Sequence, residues 1–148
     1  MSTYTQILYQ IIFSTKNREK TLVKDKREIL FKYIWGILKN QNCHLYRING
    51  IEDHIHIVTT VHPTVALADL VKDIKLASSS KIKKDKDFPL FGGWQDGYGA
   101  FTYSIDAKDK LTEYVKNQEA HHKIESFIEE YKRILAEFKI EFDEKHLF

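Results

Sequence analysis

The run Gln6-Ile7-Leu8-Tyr9-Gln10-Ile11-Ile12-Phe13 constrains the fold more than any other stretch, because it is apolar at nearly every position and rich in β-branched and aromatic side chains. Side chains alternate across a strand, so a strand with one wet face would alternate apolar with polar. A strand that is apolar throughout belongs at the centre of a sheet covered on both faces. The rest of the chain must supply those two layers. From residue 23 to 39, Leu30, Tyr33, Ile34, Ile37 and Leu38 make the i, i+3, i+4, i+7 stripe of a core-facing helix. Residues 43–49 and 54–61 read as two strands joined across Gly50-Ile51-Glu52-Asp53, an antiparallel hairpin. Pro63 is expected to open a second helix, striped by Leu67, Leu70, Val71, Ile74 and Ala77. A loop over residues 85–97, with Gly92-Gly93, leads into a closing strand at 98–103.

The order β-α-β-β-α-β is that of an α+β, ferredoxin-like antiparallel sheet with two helices on one face and the other face open. Two additional C-terminal helices are expected, at about residues 106–118 and 124–138. The second is striped by Ile124, Phe127, Ile128, Tyr131, Leu135 and Phe138 and reads as a packing or dimer-contact helix. With 148 residues, 43% apolar, the chain is expected to be a single domain over 1–148. Cys43 is the only cysteine and reads as a small buried hydrophobe, and no internal disulfide is possible. Without a secretory-type N-terminus or an apolar run of about 20 residues, a cytoplasmic protein with no membrane contact is expected.

The net charge of +2 conceals an asymmetry. Residues 16–84 carry 14 Lys or Arg against 7 Asp or Glu, whereas residues 85–148 carry 9 against 14. The basic part fits a polyanionic partner or an ordinary solvated surface. Lys72, Lys75, Lys81, Lys83 and Lys84, off the apolar stripe of the second helix, are the candidate phosphate contacts.

His54-Ile55-His56 lies in the fourth of these segments, so both imidazoles share one strand face and Ile55 the other. On the strand alone they are either polar residues of a solvated face or a pair of metal ligands, which a divalent ion would satisfy as neutral rings. On the first C-terminal helix Tyr114 and Gln118 are spaced i, i+4 and therefore share a face one turn apart. Together these residues offer ligands and a nucleophile. His121 and His122, about two turns beyond Tyr114, read as structural or phosphate-contact residues rather than ligands, and Trp94, Tyr98 and Phe101 as loop anchors rather than stacking platforms.

At these residues the chain resembles the single-tyrosine HUH transposases of small bacterial and archaeal insertion sequences, the IS200-like family. His54-Ile55-His56 matches the motif that names the HUH superfamily. Tyr114-Val115-Lys116-Asn117-Gln118, followed by Glu119-Ala120-His121-His122, is similar to the family's catalytic helix. Trp94 to Phe101, Ile12 to Arg18 and the approach Gly50-Ile51-Glu52-Asp53 fit it in the same order. The resemblance implies cleavage and rejoining of single-stranded DNA at hairpin ends. It implies Tyr114 as nucleophile, a 5′-phosphotyrosine intermediate with a free 3′-OH, and Mg2+ or Mn2+ held by His54, His56 and Gln118. Two imidazoles and an amide oxygen suit manganese better than magnesium. It also implies a homodimer, since exchanging two strands takes two nucleophiles. A replication initiator or relaxase of the same superfamily, and a hairpin-binding regulator that does not cut, are the other readings of these residues.

Overall fold

The computed structural model describes residues 2–147. Four strands, β1 (Leu8–Ser14), β2 (Leu45–Gly50), β3 (His54–Thr60) and β4 (Gly99–Tyr103), form one antiparallel sheet in the order β2-β3-β1-β4. β1 is central, and six of its seven residues are buried. That is where its largely apolar sequence had to go.

Helices α1 (Lys24–Asn40) and α2 (Leu67–Asp85) cover one face, where Leu30, Ile34, Leu38, Leu70 and Ile74 close over Ile11, Phe13, Ile55 and Ile57. Complete burial of each such side chain stabilises by roughly 1.5–3 kcal/mol, so this layer carries much of the fold. α2 begins at Leu67 rather than at Pro63. The intervening residues close a turn of their own, in which Val65 N donates to His62 O at 2.9 Å, and Ala66 is extended before the first helical residue.

The opposite face carries Leu8, Ile12, His54, His56 and Val58, and three C-terminal helices cover it: α3 (Lys108–Lys116), α4 (Gln118–His121) and α5 (Phe127–Glu137). Leu111 and Val115 of α3 pack on Leu8 and Val58, and Phe127, Tyr131, Ile134 and Leu135 of α5 pack on Ile12 and Phe101. The helix expected at 106–118 is interrupted at Asn117 (φ −94°, ψ 23°), which ends α3 and lets Gln118 begin a separate turn. α5 starts later than the apolar pattern suggested. Ser126 caps it, accepting from Glu129 N while the Glu129 side chain reaches back to the cap, and this box places Ile124 outside the helix, 89% exposed.

Trp94 anchors the long loop after α2. Its indole Nε1 donates to Ser78 Oγ at 3.0 Å, and its ring stands edge-on to Phe13 at 5.0 Å. Phe101 is buried, as the anchoring reading required, whereas Tyr98 is partly exposed. Cys43 is buried in the α1–α2 layer. Among the described residues no helix is long and apolar enough to cross a membrane.

The hairpin that delivers the histidines turns tightly at Gly50, where an added Cβ would run into the backbone carbonyl of His54. Neither backbone can yield without moving β3. Gly50→Ala should therefore destabilise the protein by about 1–3 kcal/mol in urea unfolding, the usual range for overpacking, and a loss below about 0.5 kcal/mol, typical of a neutral surface change, would contradict this packing.

Candidate functional site

β3 fixes the site. His54 pairs in register with Ser14 and His56 with Ile12 of β1, so both imidazoles leave the sheet on the C-terminal-helix face, and both are completely buried. A buried imidazole must satisfy two nitrogens. His54 Nδ1 lies 2.7 Å from Asp53 Oδ1, His56 Nδ1 2.8 Å from Gln10 Oε1, and His122 Nδ1 2.6 Å from the Glu125 carbonyl. All three partners are acceptors, so all three Nδ1 atoms carry the proton. Gln10 is oriented for this role because its Nε2 donates to Tyr103 Oη at 2.8 Å.

The three Nε2 atoms of the neutral rings then present lone pairs, and they converge on oxygen. Glu130 Oε1 lies 3.3 Å from His54 Nε2, 3.0 Å from His56 Nε2 and 3.0 Å from His122 Nε2. Gln118 Oε1 lies 3.1 Å from His54 Nε2 and 3.0 Å from His122 Nε2. The Gln118 amide is fixed that way round by its Nε2, which donates to Glu130 Oε2 at 3.1 Å. Five acceptor atoms facing one another in a dry interior repel unless protons or a cation lie between them. Burial opposes a charge on His54, but Asp53 and Glu130 outweigh it and raise its pKa. At His56 burial prevails and pushes the pKa down to about 4, so protons do not readily satisfy every ring. A divalent cation does, and the Nδ1 contacts are the second-layer hydrogen bonds that such ligands use. His54, His56, His122 and Glu130 bring one donor atom each within 4.8 Å of one another, the arrangement of a metal centre.

Tyr114 stands at the edge of this cluster. Its hydroxyl donates to Glu130 Oε2, accepts from Arg133 Nη2 at 2.8 Å, and lies 3.4 Å from His121 Nε2. Burial and the Glu130 carboxylate push the phenol pKa well up, and Arg133 opposes them. Burial would also raise the Glu130 carboxyl, but a proton on the facing Nε2 of His122, His54 or His56 holds it far below the usual carboxylate range. A cavity of ≈ 240 Å³ between α3 and α5 opens onto Tyr114 and Arg133, with Lys110, Gln10 and Tyr103 in its walls.

The four residues singled out by spacing, His54, His56, Tyr114 and Gln118, thus meet in one place, joined through Glu130. Spacing does not connect Glu130 with the histidines, and His122, expected in a structural or DNA-contact role, faces Glu130 and Gln118 alongside them. The candidate DNA lysines lie elsewhere. α2 packs on the other face of the sheet; Lys75 is engaged by the Gln95 carbonyl at 2.7 Å and Lys81 by Asp85 at 2.7 Å, while Lys72, Lys83 and Lys84 are exposed.

Comparison with known proteins assigns this architecture. The family described as "Transposase IS200 like" matches residues 3–118. ISDra2 transposase TnpA of Deinococcus radiodurans is 26% identical over 121 residues, 76% of this chain and 84% of that protein. A crystal structure from Deinococcus radiodurans assigned as a transposase superposes with a TM-score of 0.62 at 24% identity, covering 80% of this chain and 95% of that one. A REP-associated tyrosine transposase bound to a REP hairpin gives a TM-score of 0.62 at 14% identity, covering 82% and 74% respectively; at these identities the two structures establish the shared fold. The sheet, its helices and the matched segment define a transposase, a DNA-processing enzyme. The chain belongs to the IS200-like transposase family. Glu130 and Arg133, on α5, lie beyond the matched segment.

A cation that relieved the repulsion among these acceptors would bind the folded chain only and so stabilise it. Mn2+ at a hundredfold excess over its dissociation constant should raise the melting temperature by about 5–10 °C, and His56→Ala should lose most of that shift. An unchanged melting temperature for the unsubstituted protein would contradict the cluster's role in holding a cation.

Proposed function

We propose that this chain cleaves and rejoins single-stranded DNA, with Tyr114 as the nucleophile and a divalent metal held by His54, His56 and Gln118. His122 and Glu130 complete the ligand set. The observation that carries this reading is the single carboxylate of Glu130, which accepts from the Tyr114 hydroxyl with one oxygen and faces the imidazoles of His54 and His56 with the other. When bound, the metal would polarise the scissile phosphate and stabilise the charge developing on it. A donor set of imidazole nitrogens with carboxylate and amide oxygens favours Mn2+ over Mg2+, which prefers oxygen throughout.

The remaining chemistry belongs to the side chains. Tyr114 attacks phosphorus in line, its proton passing to water in the adjoining cavity, and the DNA is left as a 5′-phosphotyrosine with a free 3′-OH. Because the phosphodiester bond energy is kept in the covalent link, attack by another 3′-OH rejoins the strand without an external energy source. The substrate is a DNA hairpin with a single-stranded flank, as the hairpin carried by the REP-associated relative suggests. Lys72, Lys83 and Lys84, exposed on the face of the sheet remote from the cut, hold the phosphates of its stem, with Lys75 and Lys81 giving a weaker contribution because they are already engaged. Two strands are exchanged by a homodimer, each chain supplying one nucleophile. Since Tyr114 lies against the histidines of its own chain, mixing His56→Ala with Tyr114→Phe protein should restore no activity.

The deciding experiment is incubation of the protein with Mn2+ and a labelled hairpin oligonucleotide, followed by a denaturing gel. Tyr114→Phe should abolish the covalent band while leaving hairpin affinity within about twofold, because the lost hydroxyl acts in the transition state and not in binding. A covalent band persisting in Tyr114→Phe would move the nucleophile to another residue. Neutralising Lys72, Lys83 and Lys84 together should lower the slope of log affinity against log salt by about 2–3, near one per phosphate contact, and an unchanged slope would leave them as solvated charges.

A further inference from the structure

We infer that Arg133 is a catalytic residue of the strand-cleavage step, the fixed positive charge on the nucleophile oxygen. This rests on Tyr114 being that nucleophile. Among the described residues Arg133 is the one permanently cationic side chain within hydrogen-bond distance of Tyr114 Oη, with Nη2 at 2.8 Å. Its guanidinium also lies over the Tyr114 ring, 5.7 Å from the centroid.

The guanidinium is aimed from three sides. Glu125 accepts from Nε at 3.2 Å and from Nη2 at 3.1 Å, and Glu137 accepts from Nη1 at 3.1 Å. This bidentate fork fixes the plane of the group and leaves Nη2 on the phenol. Its place is that of a cation. His121, Glu125 and Glu130 are spaced to hold a second ion, but Nη2 stands 3.1 Å from Glu125 and 3.5 Å from His121 Nε2, so the guanidinium already fills that position. One metal centre on the imidazole side and one arginine on the phenol side then divide the work.

The Arg133 side chain is 38% exposed and lines the cavity through which DNA would reach Tyr114. Exposed ion pairs contribute little to stability, so the bonds to Glu125 and Glu137 are poor grounds for its presence; aiming a charge at a reacting oxygen is a better one. During cleavage the Tyr114 Oη–phosphorus bond forms as the phosphorus–O3′ bond breaks. The phenol proton goes to water in the cavity, and the departing O3′ takes a proton from water. Arg133 gives up no proton: its hydrogen bond to Oη strengthens as that oxygen is deprotonated, and the same N–H then reaches a non-bridging oxygen of the phosphotyrosine.

The test compares single-turnover formation of the covalent adduct in Mn2+ on a labelled hairpin oligonucleotide. Arg133→Gln should slow adduct formation about 100-fold, the loss typical of removing one preorganised transition-state donor, with hairpin affinity within about twofold. Arg133→Lys, which keeps the charge without the planar fork, should recover part of the rate. Millimolar guanidinium ion should accelerate Arg133→Ala at least about tenfold and leave the unsubstituted protein unchanged, since it restores a donor of this kind and not a helix contact. Adduct formation by Arg133→Gln within about threefold of the unsubstituted rate, or a loss that neither lysine nor guanidinium repairs in a protein that still binds the hairpin, would overturn the inference while leaving Tyr114 as nucleophile. Absence of adduct from the unsubstituted protein would instead overturn the proposed cleavage activity and Arg133 with it.

Discussion

Three imidazole lone pairs and two oxygens facing one another beneath the C-terminal helices form the constraint on which the rest of the structure depends. Such a cluster is unfavourable by itself, since each acceptor has left water without gaining a donor. It persists because the surrounding fold determines every member independently. β3 sets His54 and His56 by its alternation and register, and Asp53 and Gln10 fix their Nδ1 protons. Phe127 stacks on the His54 ring at 4.0 Å, which closes the cluster against solvent and ties it to the apolar contacts of α5.

The sheet therefore has two different faces. The α1–α2 face is an ordinary apolar layer, and its large aliphatic core lets the hairpin keep its register. The opposite face carries two smaller apolar patches, around Ile12 and Phe101 and around Leu8 and Val58, with the polar cluster between them. Those patches hold α3 and α5 in place on either side. Tyr114 from one and Glu130 and Arg133 from the other are consequently held by packing and not by the polar contacts alone, which is how a reactive geometry is preorganised.

Much of this was legible in the sequence for a physical reason. Period-two and period-3.6 patterns report which face a residue takes, so β1 as a central strand, the shared face of His54 and His56, and the shared face of Tyr114 and Gln118 could all be read directly. What those patterns do not report is which helix covers the open face, and Glu130 was lost there. A signal was present. Phe127, Glu130, Tyr131 and Ile134 stand at i, i+3, i+4 and i+7, so Glu130 interrupts the buried stripe of α5, and a carboxylate on a buried stripe needs a partner. The break at Asn117 was equally hidden, because good helix formers on both sides give no boundary; it turns His122 inward to share Gln118 Oε1 with His54. Among the lysines of α2, composition could not separate those held by the Gln95 carbonyl and Asp85 from those left exposed.

Membership of the IS200-like transposase family rests on residues 3–118, which contain His54, His56, Tyr114 and Gln118. The residues of α5 that join them, Glu130 and Arg133, lie beyond that segment and meet it at the tyrosine. The claim central to this account is that the imidazole cluster holds the metal. It is tested most directly by pulsed electron paramagnetic resonance of the Mn2+-loaded protein. The account predicts nitrogen modulation from at least two directly bound imidazoles, reduced when His56 is replaced by alanine. A spectrum showing only water protons around the bound manganese would contradict it.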